Sequence, residues 1–192
     1  TVASFNLEWF GNKSKTRSAE QIARLAEYIR ALEVDVLCCQ EISPSGDANR
    51  NGRSDWSELL GFLGREFDAA VGSTGDVQRL AIIWRKDAVT VTDVGELRGV
   101  GRQPASDGKY SFPRHPLTAY VKSRRGGVDF RLIVVHLYWT SDAARYLEAR
   151  QLNQWLTEYL RKGDDPDVLL IGDFNTKPLG GNADDTGRSR TV

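Results

Sequence analysis

Acidic and amide side chains follow the first two apolar runs of the sequence, where their oxygens could bind a divalent cation. Glu41 comes directly after the apolar run 34–39, and Asn6 and Glu8 follow the run 2–5. A carboxylate at the end of a buried strand is partly desolvated, which is costly unless a positive group pairs with it. Mg²⁺ or Mn²⁺ suits such oxygens, since it is held by few carboxylates and completed by water and phosphate. From spacing alone, an ion pair between Glu41 and an arginine explains the residue equally well.

The segment 169–175 carries a second pair of polar side chains at the end of an apolar run. Gly172 allows the backbone to bend, and Asp173 and Asn175, two residues apart, can then point the same way. One is a charged acceptor and the other a neutral donor, which together could orient water or a phosphate. Asp and Asn also satisfy local backbone groups in turns, and in isolation that interpretation is favoured.

His136 lies within the apolar run 133–137. A histidine in such a run is usually a core residue whose ring is hydrogen-bonded. If it reaches the same sheet edge as the carboxylates, it can instead donate a hydrogen bond to a phosphate oxygen or transfer a proton.

The apolar patterns predict alternating strands and helices that would position these side chains. Ser18 and Gln21 form a capping-box pattern, and the apolar residues that follow them have helical spacing, which predicts a first helix. A second helix is predicted to begin near Asp55, with Phe67 on its inner face. Asp142 is predicted to cap a third helix. Strands are predicted near 2–5, 80–84, 89–94, 117–121 and 128–137, buried strands at 34–39 and 168–171, and long loops at 43–54 and 99–116. This order predicts two sheet layers with helices outside, and ligand crevices at the strand ends.

Length and composition bound the class of protein. The chain has 192 residues, of which 40% are hydrophobic and 27% are charged, and these values favour a single globular domain that spans residues 1–192. The formal net charge is zero, so charge gives no argument for a nucleic-acid or membrane partner. Cys38 and Cys39 are adjacent, so we expect two buried thiols without a disulfide, and the compartment stays open. The chain begins at Thr1 and has no Met, which we interpret as a removed leader or an excised piece.

Five short motifs follow one another along the chain. They are Phe5-Asn6-Leu7-Glu8-Trp9, Cys39-Gln40-Glu41-Ile42, Arg114-His115-Pro116-Leu117, Val135-His136-Leu137 and Ile171-Gly172-Asp173-Phe174-Asn175. In series they resemble the endonuclease/exonuclease/phosphatase superfamily, whose fold is that of deoxyribonuclease I, and the resemblance runs from Val2 to Asn175. It implies a four-layered α/β sandwich, with two mixed β-sheets flanked by helices, and divalent-metal-dependent hydrolysis of phosphoesters.

The resemblance also implies roles for individual residues. Glu41 would bind the metal, with Glu8 close to the ion, and Asn6 would hydrogen-bond near the metal or the nucleophile. His136 would contact the scissile phosphate or donate a proton. Asp173 would orient the attacking water or hold the phosphate site, and Asn175 would donate to a phosphate oxygen. Substrate binding is assigned to Arg114 and Tyr110, which share the 99–116 loop.

Two departures from the family pattern weaken the implied chemistry. Some family nucleases orient the strand histidine with a glutamate, where this chain has Gln78. The family pattern ends in a Ser-Asp-His motif, yet no histidine follows Asp173, and the segment 177–192 is polar and Gly-rich. Two explanations fit this absence: a truncated copy that lacks the last strands, or a member that has lost hydrolysis. We favour the truncated copy, because proteins normally avoid an unpaired sheet edge.

The leading hypothesis is a Mg²⁺-dependent phosphodiesterase that acts on nucleic acid as a monomer without stable membrane association. Its support is the arginines of the two long loops, since loop arginines contact phosphates without reading sequence. A phospholipid or inositol-phosphate enzyme is the second hypothesis; it would expose apolar residues beside the site, but we expect core packing for the obvious candidate, Trp139. The third is a non-catalytic, phosphate-binding member of the same fold.

Overall fold

The structure is a computed structural model that describes residues 1–47, 49–163 and 165–176. Helices and strands alternate along much of the chain, and a short 3₁₀ turn (Lys13–Lys15) follows the first strand. The strands are β1 (Val2–Phe10), β2 (Val36–Ile42), β3 (Phe67–Val71), β4 (Arg79–Arg85), β5 (Val89–Glu96), β6 (Leu117–Ser123), β7 (Asp129–His136) and β8 (Val168–Asp173). The helices are α1 (Ala19–Ala31), α2 (Asp55–Leu63) and α3 (Asp142–Arg161).

The described strands form two four-stranded sheets, in the orders β1-β2-β4-β3 and β5-β6-β7-β8. Each sheet is mixed and has one parallel pair, β1 with β2 in the first sheet and β7 with β8 in the second. Helix α1 makes the crossover of the first parallel pair, and α3 makes that of the second, as parallel pairing requires. The carboxyl ends of these two pairs are therefore the ends at which a ligand crevice is expected.

Three apolar clusters separate four layers. One lies between α1, α2 and the first sheet, another between the two sheets, and the third between the second sheet and α3. Successive residues of β2 contribute to different clusters, since Cys38 lies between the sheets and Cys39 faces the helices. The predicted four-layered α/β sandwich is confirmed.

Local signals explain where the helices begin. Ser18 accepts from the backbone of Gln21, whose side chain accepts from Ser18 in return, as the sequence pattern predicts. Helix α3 is capped by Ser141, one residue before the predicted Asp142, which is instead the first helical residue.

The second predicted helix is too long in our sequence interpretation. Helix α2 ends at Leu63, because Gly64 has a φ of +94° and stops it, and Phe67 begins strand β3 rather than facing inward from the helix. Strand β3 was not predicted; it owes its conformation to antiparallel pairing with β4.

Both cysteines are buried and free, as predicted, and burial raises the pKa of Cys38 to about 12. Within the described part of the chain, no helix has both the length and the apolarity to cross a membrane. The polar segment 177–192 lies outside the described residues.

Candidate active site

Four of the predicted site residues come together at the carboxyl ends of the parallel strand pairs. Asn6 and Glu41 belong to the first sheet, and His136 and Asp173, which are register partners, belong to the second. The Nε2 atom of His136 lies 3.8 Å from a carboxylate oxygen of Glu41 and 3.8 Å from one of Asp173. The site therefore sits where the two sheets meet, and each sheet contributes one carboxylate.

Asn6 links the two carboxylates directly. Its Nδ2 donates to Glu41 Oε1 at 3.0 Å and to Asp173 Oδ2 at 3.1 Å, while its Oδ1 accepts from the backbone of Glu8 at 2.9 Å. An amide has two N–H donors, so this side chain is fully engaged. Asn6 holds the spacing of the carboxylates rather than donating to a ligand.

Irregular backbone places Glu41 in the site. The pairing of β2 with both of its neighbours shifts register near this residue, and Glu41 has a φ of +65°. Glu8 and Trp9 on β1 also have positive φ, and the Trp9 N–H donates to Glu41 Oε2 at 3.0 Å. Non-glycine residues pay about 1–3 kcal/mol for such conformations, which persist where the surroundings fix them, most often at functional sites.

His136 is neutral at neutral pH. Burial, with the positive charge of Arg114, lowers the pKa of its imidazole to about 4, against the opposing effect of Asp173. The side chain is nearly enclosed, and its Nδ1 has no hydrogen-bond partner among the described residues. The carboxylates in front of Nε2 favour the tautomer with the proton on that nitrogen, so His136 can act as a neutral donor.

Arg114 is buried behind His136 instead of pointing into solvent. Its guanidinium donates to the carbonyl oxygens of His136 and Leu137, at 3.0 and 3.3 Å, and to Gln78 Oε1 at 3.1 Å. Gln78 therefore contacts Arg114 and not the His136 ring, which corrects the idea that it replaces the orienting glutamate. Arg114 still lines the cavity in front of His136, where its charge can act on an anion.

Asp173 and Asn175 both line the larger cavity, and Asp173 also satisfies a backbone group of the turn, which is the role that the sequence favoured for such a pair in isolation. Asp173 Oδ1 accepts from the Asn175 backbone at 2.9 Å, and the Asn175 amide donates to the Leu137 carbonyl at 2.8 Å. Gly172 makes this bend possible, because its φ is +142° and a Cβ there would lie 2.0 Å from the Val135 carbonyl oxygen. One N–H of the Asn175 amide remains for a ligand.

The donor set fits a magnesium-type cation. Among the described residues, neither Glu41 nor Asp173 forms an ion pair with lysine or arginine, and the groups that contact both carboxylates are the neutral Asn6 amide and the neutral His136 imidazole. No three His, Cys, Asp or Glu side chains in the described ranges converge closely enough to hold a metal by themselves. Two carboxylates, completed by water and substrate oxygens, are what Mg²⁺ requires and are too few for an all-protein cage.

Three residues occupy positions other than those expected from the sequence. The Glu8 side chain is 65% exposed and pairs with Lys15 at 2.9 Å, although the residue lines the same cavity as Glu41. Tyr110 packs its ring under Arg102 and lines neither of the two cavities at the site. Trp139, expected in the core, is 63% exposed at the rim of both cavities, so that expectation is wrong.

Sequence reasoning missed Glu148 on α3. It is fully buried, and its two carboxylate oxygens accept from the backbone N–H groups of Phe112 and Tyr138 at 2.6 and 2.7 Å. It thereby fixes the loop of Arg114 and the chain that follows His136. The sequence does contain a signal for this role, because a charged residue on the inner face of an amphipathic helix is rarely buried unless other groups pair with it.

The cavity in front of Glu41 and His136 has a volume of about 650 Å³, and a larger one of about 1130 Å³ adjoins it past Asn175 and Trp139. The smaller cavity has the size of a small-molecule site. Together the two can accept a substrate longer than the phosphate that the carboxylates and His136 would contact.

Solved structures share the fold of this chain. The chain is similar to an endonuclease/exonuclease/phosphatase family protein from Bacteroides thetaiotaomicron (TM-score 0.67, 18% identity, 92% of this chain and 64% of that one). It is also similar to the mannosyl-6-phosphatase of that organism (TM-score 0.65, 18% identity, 91% of this chain and 64% of that one). A third similar structure is D. rerio TDP2 complexed with single-strand DNA product (TM-score 0.59, 18% identity, 92% of this chain and 60% of that one). The chain thus spans less than two thirds of the length of each.

Comparison at the sequence level identifies the family. No curated protein shows significant similarity to the chain. The model of the endonuclease/exonuclease/phosphatase family, however, matches residues 3–191, nearly the whole chain, and includes every residue of the site described above. The chain belongs to the endonuclease/exonuclease/phosphatase family.

Proposed function

We propose that this chain hydrolyses phosphodiester bonds of nucleic acid with Mg²⁺ or Mn²⁺ as its cofactor. The observation that carries the proposal is the meeting of two carboxylates, a bridging amide and a neutral histidine from two sheets, at the place where two cavities adjoin. Phosphoester hydrolysis with a divalent metal is the general chemistry of the family to which the chain belongs.

Glu41 and Asp173 are the residues that would hold the cation. When bound, a divalent cation polarises a phosphoryl oxygen and neutralises the charge that develops on the phosphate. Asn6 keeps the two carboxylates at a fixed separation. Glu8 is the weaker metal candidate, because reaching the ion requires release from Lys15.

The remaining residues orient the phosphate and the attacking water. His136 donates from Nε2 to a non-bridging phosphate oxygen, and Arg114 behind it adds positive charge without direct contact. The free N–H of Asn175 donates to a second oxygen. Asp173 is partly exposed and can accept a hydrogen bond from water, which orients the nucleophile. Preorganised donors of this kind stabilise the transition state more than the ground state.

Two tryptophans support nucleic acid as the substrate. Trp9 and Trp139 line the cavity that contains Glu41 and His136, and Trp139 presents most of its indole to solvent. Bases stack on aromatic side chains, with about 1–3 kcal/mol for each base. A phosphate bound at the carboxylates would leave the neighbouring base within reach of these rings.

A plasmid-nicking assay tests the proposal with Mg²⁺, with Mn²⁺ and with a chelator. We expect cleavage that depends on the metal and falls by about 100-fold or more in Glu41→Gln, because the cation contributes several kcal/mol of charge stabilisation. Glu27→Gln makes the same change on the exposed side of α1 and should leave cleavage unchanged.

Folding is monitored for each variant by circular dichroism and thermal unfolding. Equal and undetectable cleavage with metal and with chelator would remove the nuclease proposal. If calorimetry then still detects Mg²⁺ binding that Glu41→Gln abolishes, the chain is a non-catalytic phosphate-binding member of the family.

A phospholipid or inositol-phosphate substrate is the second candidate, and the exposure of Trp139 is the specific observation that favours it. An exposed indole beside a phosphate site can enter a lipid interface as well as stack on a base. Sedimentation with anionic vesicles and release of a water-soluble head group distinguish the two. In the lipid case Trp139→Ala reduces vesicle binding, whereas in the nuclease case it raises KM for DNA and no head group is released.

A further inference from the structure

The loop between β2 and α2 has a spacing of oxygen-bearing residues that the proposed phosphoesterase site does not use. Residues 47–58 read Asp, Ala, Asn, Arg, Asn, Gly, Arg, Ser, Asp, Trp, Ser, Glu. Asp or Asn at the first, third and fifth positions, Gly at the sixth and Glu at the twelfth is the pattern of a helix-associated calcium loop.

The described part of this loop has the required turn. Gly52, at the sixth position, has a φ of +79°, the left-handed conformation that a sharp turn needs there. Asp47, at the first position, accepts from the backbone of Asn51 at 3.0 Å and of Gly52 at 2.8 Å, which folds the loop back on itself. Helix α2 begins at Asp55, so the twelfth residue, Glu58, lies in its first turn.

Glu58 gives an independent reason to expect a cation. Its side chain is on the buried side of α2, with the residue 8% exposed, and Oε1 accepts from the Asn51 amide at 2.6 Å. Its other oxygen, Oε2, is buried and accepts no hydrogen bond from the residues that the structure describes. A buried carboxylate oxygen without a donor costs free energy, and helix capping does not explain it, since Ser54 is the cap of α2. The polar contacts within the loop account for Asp47 and Asn51 but leave this oxygen unexplained.

We propose that residues 47–58 form a calcium site, with oxygens of Asp47, Asn49, Asn51 and Glu58 and the main-chain carbonyl of Arg53 around one Ca²⁺. Glu58 supplies both carboxylate oxygens, as the twelfth residue of such loops does. Calcium is favoured over magnesium because these donors are mostly neutral and many, whereas Mg²⁺ demands near-ideal octahedral geometry and retains its waters. Two amides replace carboxylates, so the affinity falls towards the weak end of the range for such loops, about 10⁻⁵–10⁻³ M.

The loop adjoins the phosphoesterase site in the chain. It begins six residues after Glu41, and the Asp55 N–H donates to the Gly46 carbonyl at 2.9 Å. Gly46 packs closely against Gly11, which lies two residues after Trp9 in the chain. A Cβ added to Gly46 would clash with the Gly11 carbonyl oxygen. Calcium therefore stabilises the segments that carry Glu41 and Trp9, without taking part in the chemistry.

Calorimetry on the chelator-stripped chain, titrated with CaCl₂ while Mg²⁺ is in excess, tests the proposal. We expect one Ca²⁺ per chain in the wild type, and affinity weakened by more than about tenfold in Glu58→Gln and in Asp47→Asn, which each remove one ligand charge. Asp68→Asn, an exposed acid on β3, is the matched control and keeps wild-type affinity.

Thermal unfolding gives a second readout and shows whether the variants fold. Calcium at about 100 times its Kd should raise Tm by roughly 5–10 °C in the wild type and the control, but not in the two loop variants. The proposal fails if millimolar Ca²⁺ gives neither heat nor a Tm shift in the wild type. It also fails if binding is lost in Glu41→Gln and kept in Glu58→Gln, which would place the ion at the phosphoesterase site. Because these readouts do not use hydrolysis, they are independent of the outcome of the nicking assay.

Discussion

At the scale of single residues, the site depends on one neutral side chain between two charges. Asn6 donates one N–H to each carboxylate, so the like charges of Glu41 and Asp173 are held close together without a cationic side chain. Carboxylates this close repel one another unless donors or a cation offset the repulsion. The amide therefore positions the groups that would hold the proposed cation.

Replacement of Asn6 by alanine should weaken Mg²⁺ binding by about 10–100-fold, the usual cost of losing a hydrogen bond that orients a metal ligand. Isothermal titration calorimetry with MgCl₂ measures the change directly. Asn153→Ala, on the exposed surface of α3, is the control and should not alter affinity. Unchanged Mg²⁺ affinity in Asn6→Ala would mean that the amide is not a positioning group.

Residue types at strand ends were predictable, but the direction of each side chain was not. Glu41, Asp173 and His136 could be chosen because polar groups at the ends of apolar runs need a partner. Arg114 was predicted to contact substrate, yet its guanidinium donates to two carbonyls and to Gln78. Trp139 follows an apolar run and is nevertheless exposed. Such choices depend on neighbours that are distant in sequence, which no local pattern reveals.

At the scale of elements, glycine at one position determines how β7 and β8 approach each other. A Cβ on Gly172 would lie 2.0 Å from the Val135 carbonyl oxygen, and the φ of +142° is open to glycine alone. Local signals predicted where the helices begin to within one residue, because caps act within a few residues, but the end of α2 was placed too late. Strand β3 escaped prediction because its sequence is short and takes its conformation from pairing with β4.

Gly172→Ala should destabilise the protein by about 2–4 kcal/mol, through the clash with the backbone of β7 and the strained φ. Urea unfolding followed by circular dichroism measures the loss. Gly95→Ala on β5 is the matched control, since no atom lies within 4 Å of its added Cβ, and it should change stability by less than about 1 kcal/mol. Equal stability of the two variants would contradict the close approach of the strands.

Glu148, on helix α3, makes the stability of the fold depend on pH. Burial raises the pKa of this carboxyl above its ordinary value, against the two backbone donors and the charges of Arg114 and Arg145. The folded state then binds the proton more readily than the unfolded chain. The resulting contribution to stability is present in acid and is lost as pH rises from the unfolded value through the raised one.

In Glu148→Gln that pH dependence disappears, and one backbone N–H loses its acceptor, at a cost of about 1–3 kcal/mol. The stability deficit of the variant relative to wild type should therefore be larger at pH 5 than at pH 7.5 and narrow as pH rises. Urea denaturation at the two pH values checks this. A deficit that widens with pH would show that the carboxyl is not destabilised in its charged form.

At the scale of the whole molecule, the apolar layer between the sheets sets the separation of the two halves of the site. Val121 lies in that layer, whereas Val34 lies in the layer between the first sheet and its helices. Truncation of either valine removes a similar apolar volume and should cost about 1.5–3 kcal/mol.

The two truncations should differ in their effect on the site. Val121→Ala should weaken Mg²⁺ affinity as well as stability, since the sheets can then shift relative to each other, while Val34→Ala should lower stability alone. Calorimetry with MgCl₂, beside urea denaturation, separates the two effects. Equal affinities in both variants would show that the spacing of the sheets does not control the site.

The division of the carboxylates between sheets also has a consequence for motion. An ion held by Glu41 on one side and Asp173 on the other is a non-covalent cross-link between strands 132 residues apart in sequence. Opening of the sandwich at this end then requires release of the ion. Amide hydrogens of β2 and β8 should therefore exchange with solvent deuterium more slowly in Mg²⁺ than in chelator, while those of β3, at the far edge of its sheet, exchange at the same rate in both.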